Sequence, residues 1–138
     1  APMRQNFEQI RTHVASAYRV TASEPYLVSL ELSLESGQRH QTLYLTELEN
    51  EDGRPYLRIS TLVAPITGID PKRALRFNWE SRVGYLATSD LDGVPYLHLC
   101  ENRPYEGLGA AEVDRMILEL GGLGDRMERE LSAGGDLL

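Results

Sequence analysis

One cysteine, Cys100, serves the whole chain of 138 residues. No internal disulfide can form, which fits a reducing cytosol. Histidine is nearly as scarce: His13, His40 and His98 lie far apart, and no Cys or His spacing typical of a zinc site occurs. Long apolar runs are missing too. Nothing approaches the roughly 18–20 residues of a membrane span, and no signal peptide is visible. Positive charge is in deficit: 14 Lys and Arg against 21 Asp and Glu leave a net charge of -7, with a pI of about 4.9. That balance argues against nonspecific binding to nucleic acid or to an anionic membrane, both of which need a basic surface. Phosphate-cradling glycine motifs are absent, because Gly107-Leu108-Gly109 alone makes no such loop. Asp90, Asp92 and Gly93 begin like a calcium loop, but the later ligands and the closing Glu are missing at the required spacing.

What is present is the composition of a folded domain. The hydrophobic fraction of 41% is too high for a disordered chain, and the length suits one domain over residues 1–138. Ala1 and Pro2 ahead of Met3 read as a cloning remnant, so that 1–3 stand apart from the fold. The Gly-containing tail, 133–138, is expected to fray.

The most strongly patterned stretch is Ala110 to Ser132. Val113, Met116, Ile117, Leu120, Leu123, Met127 and Leu131 recur in steps of three and four, one stripe down an α-helix. Burying each such side chain is worth roughly 1.5–3 kcal/mol, so the helix requires a broad apolar surface beneath it. Gly121, Gly122 and Gly124 fall inside it, at roughly 1 kcal/mol each relative to Ala. Either the helix bends there or something packs very close.

Short strands supply the surface. Arg4 to Tyr18 reads as a first helix with Phe7, Ile10, Val14, Ala17 and Tyr18 on one face, and Thr21 to Pro25 as a polar break. Tyr26 to Glu35 alternates cleanly, with Tyr26, Val28, Leu30, Leu32 and Leu34 pointing one way. His40 to Glu49 and Tyr56 to Ile66 follow as strands, the first bounded by Ser36-Gly37 and the two separated by Asp52-Gly53. Asp70 as N-cap and Pro71 at the first helical position open a second helix through Ala74, Leu75, Asn78 and Trp79. Val83 to Ser89 and Tyr96 to Glu101 are the last two strands, and Asn102 to Gly109 is a loop. The Asp52-Gly53 and Asp92-Gly93 hairpins echo each other, each followed by Pro-Tyr-Leu, which we read as shared strand-start chemistry. The expected fold is α+β, a single antiparallel five-stranded sheet with three helices in the order α-β-β-β-α-β-β-α.

Catalytic chemistry has one thin candidate. His98 and Cys100 are two apart on a strand and share a face, as a thiolate nucleophile and its base would. No third, orienting group is evident, and a small buried Cys is the ordinary alternative. The aromatics say more. Tyr44, Leu48, Leu62, Tyr85 and Tyr96 fall opposite the best-aligned aliphatics of their strands. They are edge residues with wet hydroxyls, or the face assignment is inverted, or they form an apolar surface for a partner. We take Tyr44, Leu48, Leu62 and Tyr96 as candidate partner-binding residues. Phe77 and Trp79 sit on a helix too short to bury both in one subunit, so with Tyr85 they are candidate dimer-interface residues.

The element order, with Ala74-Leu75-Arg76-Phe77-Asn78-Trp79, then Val83-Gly84-Tyr85-Leu86-Ala87, the Asp92-Gly93 tip, Tyr96-Leu97-His98-Leu99 and the amphipathic last helix, resembles the type III secretion chaperone-like fold. The likeness is to the class I secretion chaperones and to the YbjN family of bacterial proteins; Glu106-Gly107-Leu108 lies closer to the YbjN side. The resemblance implies a non-enzymatic cytoplasmic module without cofactor or metal, usually a homodimer. Secretion chaperones hold an extended client segment against their sheet and first helix, whereas YbjN-like proteins are linked to regulation.

Overall fold

The computed structural model describes residues 6–49 and 51–132. The proposed remnant at 1–3 and the tail at 133–138 lie outside the described residues. Helix α1 runs Phe7–Ala17, with Tyr18 as its C-cap; Arg4 and Gln5, where the periodicity placed its start, lie outside the described residues. Asn6 explains the start. Its Oδ1 accepts from Gln9 N–H at 2.9 Å while Gln9 Oε1 accepts from Asn6 N–H at 3.0 Å, a reciprocal capping box that satisfies two orphan donors.

Where the sequence reads as a polar break there is a strand. β1 (Arg19–Glu24) pairs antiparallel with β2 (Leu27–Leu34), from Arg19 opposite Glu31 to Glu24 opposite Leu27. The sheet therefore has six strands rather than the five expected. All of β1 except Val20 is exposed, so it carries no apolar alternation, and polar residues suit an outer edge. Tyr26 sits at the hairpin tip, 69% exposed, and not among the inward residues.

β3 (Arg39–Glu49) and β4 (Pro55–Pro65) follow, then α2 (Pro71–Glu80), β5 (Tyr85–Leu91), β6 (Val94–Pro104) and α3 (Ala110–Ser132). The sheet order is β1-β2-β3-β4-β6-β5, antiparallel throughout. β6 extends into the expected 102–109 loop because Asn102, Arg103 and Pro104 continue the ladder against β4. The two similar hairpins differ in length. Leu91 pairs with Val94 across a two-residue turn with positive φ at both Asp92 and Gly93, whereas Glu49 pairs with Pro55 across a longer loop.

α3 lies over β4, β3, β6 and β2. Its Val113, Met116, Ile117, Leu120 and Met127 are buried against Val28, Leu30, Leu43, Leu45, Leu57, Ile59 and Leu99, and α1 adds Phe7, Ile10 and Val14. The helix continues through its glycines because two of them are points of close approach. A Cβ on Gly121 would lie 2.5 Å from Leu32 Cδ2, and one on Gly124 would lie 2.5 Å from Thr61 Cγ2. Beyond Gly124, Asp125 is 3% exposed and held by Arg39 at 2.8 Å and Arg129 at 3.3 Å, tying the end of α3 to β3.

Beside the edge strand β5, α2 is capped as the sequence indicates, Asp70 Oδ1 accepting from Lys72 N–H at 3.0 Å. Asn78 then acts as a substitute strand. Leu86 N–H donates to its Oδ1 at 2.6 Å and its Nδ2 donates to the Leu86 carbonyl at 3.1 Å. One amide side chain thus occupies part of the outer edge of β5.

Candidate functional site: the uncovered sheet face and its cleft

Because side chains alternate along a strand, residues between the buried ones point away from α3. Tyr44 lies between Leu43 and Leu45, Leu62 between Thr61 and Val63, and Tyr85 and Tyr96 precede Leu86 and Leu97. All are half-buried on this second face, as is Leu48. Register aligns one row across it: Ser29 opposite Tyr44, Tyr44 opposite Ser60, Ser60 opposite Cys100, Cys100 opposite Tyr85. Two tyrosines therefore flank a shallow strip of small side chains.

The structure brings three of the four candidate binding residues together. Tyr44, Leu62 and Tyr96 line one cleft of about 860 Å³, with His40 and Thr42 of β3, the Thr67–Ile69 turn, and Glu128 and Leu131 of α3. Leu48 is not among them. It lies toward the opposite end of β3, in a second depression of about 470 Å³ with Tyr26, Glu47 and Pro55. Sequence reasoning missed His40, the 67–69 turn and the α3 residues, because they converge only when the helix end meets the sheet.

The three candidate interface residues are not on one surface. Trp79 is 89% exposed, whereas Phe77 packs on the core and Tyr85 donates its hydroxyl to Asn102 Oδ1 at 3.0 Å on the sheet face. Trp79 instead shares the outer side of α2 with Leu75, 68% exposed, and with exposed Lys72 and Arg76. That stripe has i, i+3, i+4, i+7 spacing, a signal the sequence carried.

The Cys100 and His98 pair does not form a nucleophile and its base here. Cys100 is 5% exposed, and burial pushes its thiol above the usual range despite the nearby Arg58 charge and a Tyr85 hydrogen bond. A thiol so placed is a poor thiolate. His98 Nε2 lies 3.2 Å from the Ser89 carbonyl. Among the described residues no group of three or more His, Cys, Asp or Glu could hold a metal ion. No described helix is long and apolar enough to cross a membrane.

A polar clasp joins α1 to α3 away from the cleft. Asp114 Oδ1 accepts from Tyr18 Oη at 2.7 Å and lies 2.8 Å from His13 Nε2. Burial and the Asp114 hydrogen bond push the Tyr18 phenol well above its ordinary value.

No protein-family model and no curated protein matches the chain. Among solved structures, a chain of the HopA1-SchA chaperone-effector complex matches with a TM-score of 0.58 at 14% identity, over 86% of this chain and 88% of that one. At that identity the likeness speaks to architecture, which agrees with what the sequence resembles: this chain has a type III secretion chaperone-like fold.

Proposed function

We propose that this protein is a non-enzymatic, chaperone-like binding module of the bacterial cytoplasm, which holds a segment of a client protein against its sheet. The observation that carries this reading is the cleft in which Tyr44, Leu62 and Tyr96, on the second sheet face, meet the end of α3 at Glu128 and Leu131. Concave sites that combine apolar walls with a few polar groups are the usual form of binding sites. The fold is shared with a chain of a chaperone–effector complex, which supports a protein partner. The whole chain, 1–138, acts as one such domain, and Leu48 extends the contact along β3. A second copy covers the outer side of α2, where Leu75 and Trp79 would otherwise remain in water. A YbjN-like regulatory role is the alternative, using the same face for a regulatory partner.

Capture of partners from the native cell, followed by titration of the best one, tests the reading. Tyr44→Ala and Leu62→Ser should each weaken binding while the fold survives, as read by circular dichroism. Partners indifferent to both changes would remove the sheet face as the site. For the dimer, light scattering at tens of micromolar should give twice the chain mass, and Trp79→Ser should return it to one.

A further inference from the structure

The ladder between β3 and β4 stops part-way along both strands. It runs from Glu49 opposite Pro55 to Tyr44 opposite Ser60 and goes no further. Yet β3 continues beside β2 as far as Arg39 opposite Leu34, and β4 continues beside β6 as far as Pro65 opposite Tyr96. Residues 39–43 and 61–65 are therefore two prongs with no ladder pairing between them.

Side chains close the base of this fork. Thr61 Oγ1 donates to the Thr42 carbonyl at 2.7 Å, and Gln41 Nε2 donates to Thr61 Oγ1 at 2.7 Å and to the Leu62 carbonyl at 3.3 Å. In an unbroken antiparallel ladder those carbonyls would accept main-chain N–H groups. The N–H and C=O of an extended residue point to the same side, and the side alternates. Thr42 and, two residues on, His40 therefore turn their main-chain groups toward the gap. The β4 prong is irregular, with a register shift between Leu62 and Ala64, so β3 offers the regular edge. The gap opens into the cleft already described, whose one lining carboxylate among the described residues is Glu128, in a chain of net charge -7.

The outer edges of the sheet are less suited to a strand. Asn78 already bonds both main-chain groups of Leu86 on β5. β1 has a main-chain edge, but all of its side chains except Val20 are exposed, so it offers a strand little apolar surface.

We propose that the fork receives a strand. An extended polypeptide segment lies in the cleft, pairs with the main chain of His40 and Thr42, sets alternate aliphatic side chains against Tyr44, Leu62 and Tyr96, and carries a basic residue toward Glu128. The proposal rests on the client-binding reading and specifies the segment's chemistry: extended, alternately aliphatic, and basic rather than acidic. Main-chain pairing supplies affinity in such strand addition, and the pockets supply selectivity.

The probe is the peptide acetyl-Lys-Val-Thr-Val-Thr-Val-Lys-amide, with two derivatives N-methylated at the valines or at the threonines. Methylation removes the amide donors of one peptide edge and leaves the other edge intact. The parent should bind below about 1 mM and slow amide exchange of His40 and Thr42. One methylated register should weaken binding at least about tenfold and the other less than about twofold. Thr42→Pro, which removes an N–H facing the gap and not β2, should weaken the parent peptide comparably to the sensitive register. Absence of binding, equal sensitivity of both registers, or protection confined to β1 each overturns the fork. Protection of His40 and Thr42 by self-association in the absence of peptide makes a second copy the occupant and overturns it too. The client-binding reading is tested separately by partners captured from cells. It survives a failed peptide if those partners still depend on Tyr44 and Leu62.

Discussion

The glycines of α3 make a test in which neighbouring, chemically identical substitutions should have different outcomes. Gly→Ala in an exposed helix interior gains about 1 kcal/mol from backbone entropy and helix propensity. At Gly122 the added Cβ would find only Arg126 Nη1 at 3.8 Å, an ordinary contact with the end of a flexible side chain. Gly122→Ala should therefore keep the full gain of about 1 kcal/mol. At Gly124 the same Cβ would fall 2.5 Å from Thr61 Cγ2. Thr61 is fully buried, stiff at χ1, and held through its hydroxyl by Thr42 and Gln41. It cannot turn aside without breaking those bonds, so the helix must lift from the sheet or the strand must bend. Overpacking of that kind costs typically 1–3 kcal/mol, which cancels or reverses the propensity gain.

The two variants should thus differ by about 1–3 kcal/mol in urea melts followed by circular dichroism. In a chain of this size each kcal/mol is worth roughly 4 °C in Tm. The contact responsible is a single methyl, which allows a double-mutant cycle. Thr61→Ser keeps the hydroxyl and deletes Cγ2, leaving Thr61 Cβ at 3.7 Å and Gln41 Nε2 at 3.6 Å as the nearest neighbours of the new Cβ. On the Thr61→Ser background, Gly124→Ala should become stabilising. If Gly124→Ala raises Tm as Gly122→Ala does on the parent background, α3 does not press on Thr61 and the packing described above is wrong.

Other expectations are more direct. Ile117 of α3 is fully buried, and Ile117→Asp should cost several kcal/mol, about 3 or more, through an unpaired buried charge; an unchanged urea midpoint would contradict it. Burial raises the Asp114 carboxyl, but hydrogen bonds from His13 and Tyr18 and the His13 charge outweigh it, holding the group below its ordinary 3.8. Its contribution is therefore present above the unfolded value and lost as pH falls through the lower folded one. Asp114→Asn should destabilise the protein above about pH 5 and converge with the parent under acid, as read by Tm against pH. Cys100 should react with a thiol reagent at least about tenfold more slowly in the folded protein than in urea, since its thiol is buried and its pKa raised.

The elements visible in the sequence are those whose apolar period is set by burial on one side. α3 and β2 press Ile117, Leu120, Val28 and Leu30 into the same core, so their spacing of three and four, or of two, is a direct imprint of packing. β1 leaves no such imprint. Its ladder with β2 is made by main-chain groups, which every residue but proline carries, and its side chains, Val20 apart, face water. The register of the sheet was equally hidden. Tyr44, Leu62 and Tyr96 can be assigned to one face by parity, but their convergence on one cleft, and the separation of Leu48, depend on how β3 and β4 pair.

Two residues do record the fork in the sequence, though only in retrospect. Gln41 and Thr61 occupy inward positions of strands whose other buried members are Leu43, Leu45, Leu57, Ile59 and Val63. A polar side chain at a buried position must find a partner or lose roughly 1–3 kcal/mol. Here each finds the other, together with a carbonyl that the interrupted ladder leaves available. The pair is thus explained by the break between the strands, and the break by the pair: apolar residues at 41 and 61 could not bond the Thr42 and Leu62 carbonyls. Substituting Gln41→Leu should consequently leave the Leu62 carbonyl without its side-chain donor and either destabilise the fold by about 1–3 kcal/mol or extend the ladder beyond Tyr44. Amide exchange separates the two results. Faster exchange around 61–65 marks the first, and new protection of the Thr42 and Leu62 amides marks the second. If stability and exchange are both unchanged, the Gln41–Thr61 bridge is not what holds the base of the fork.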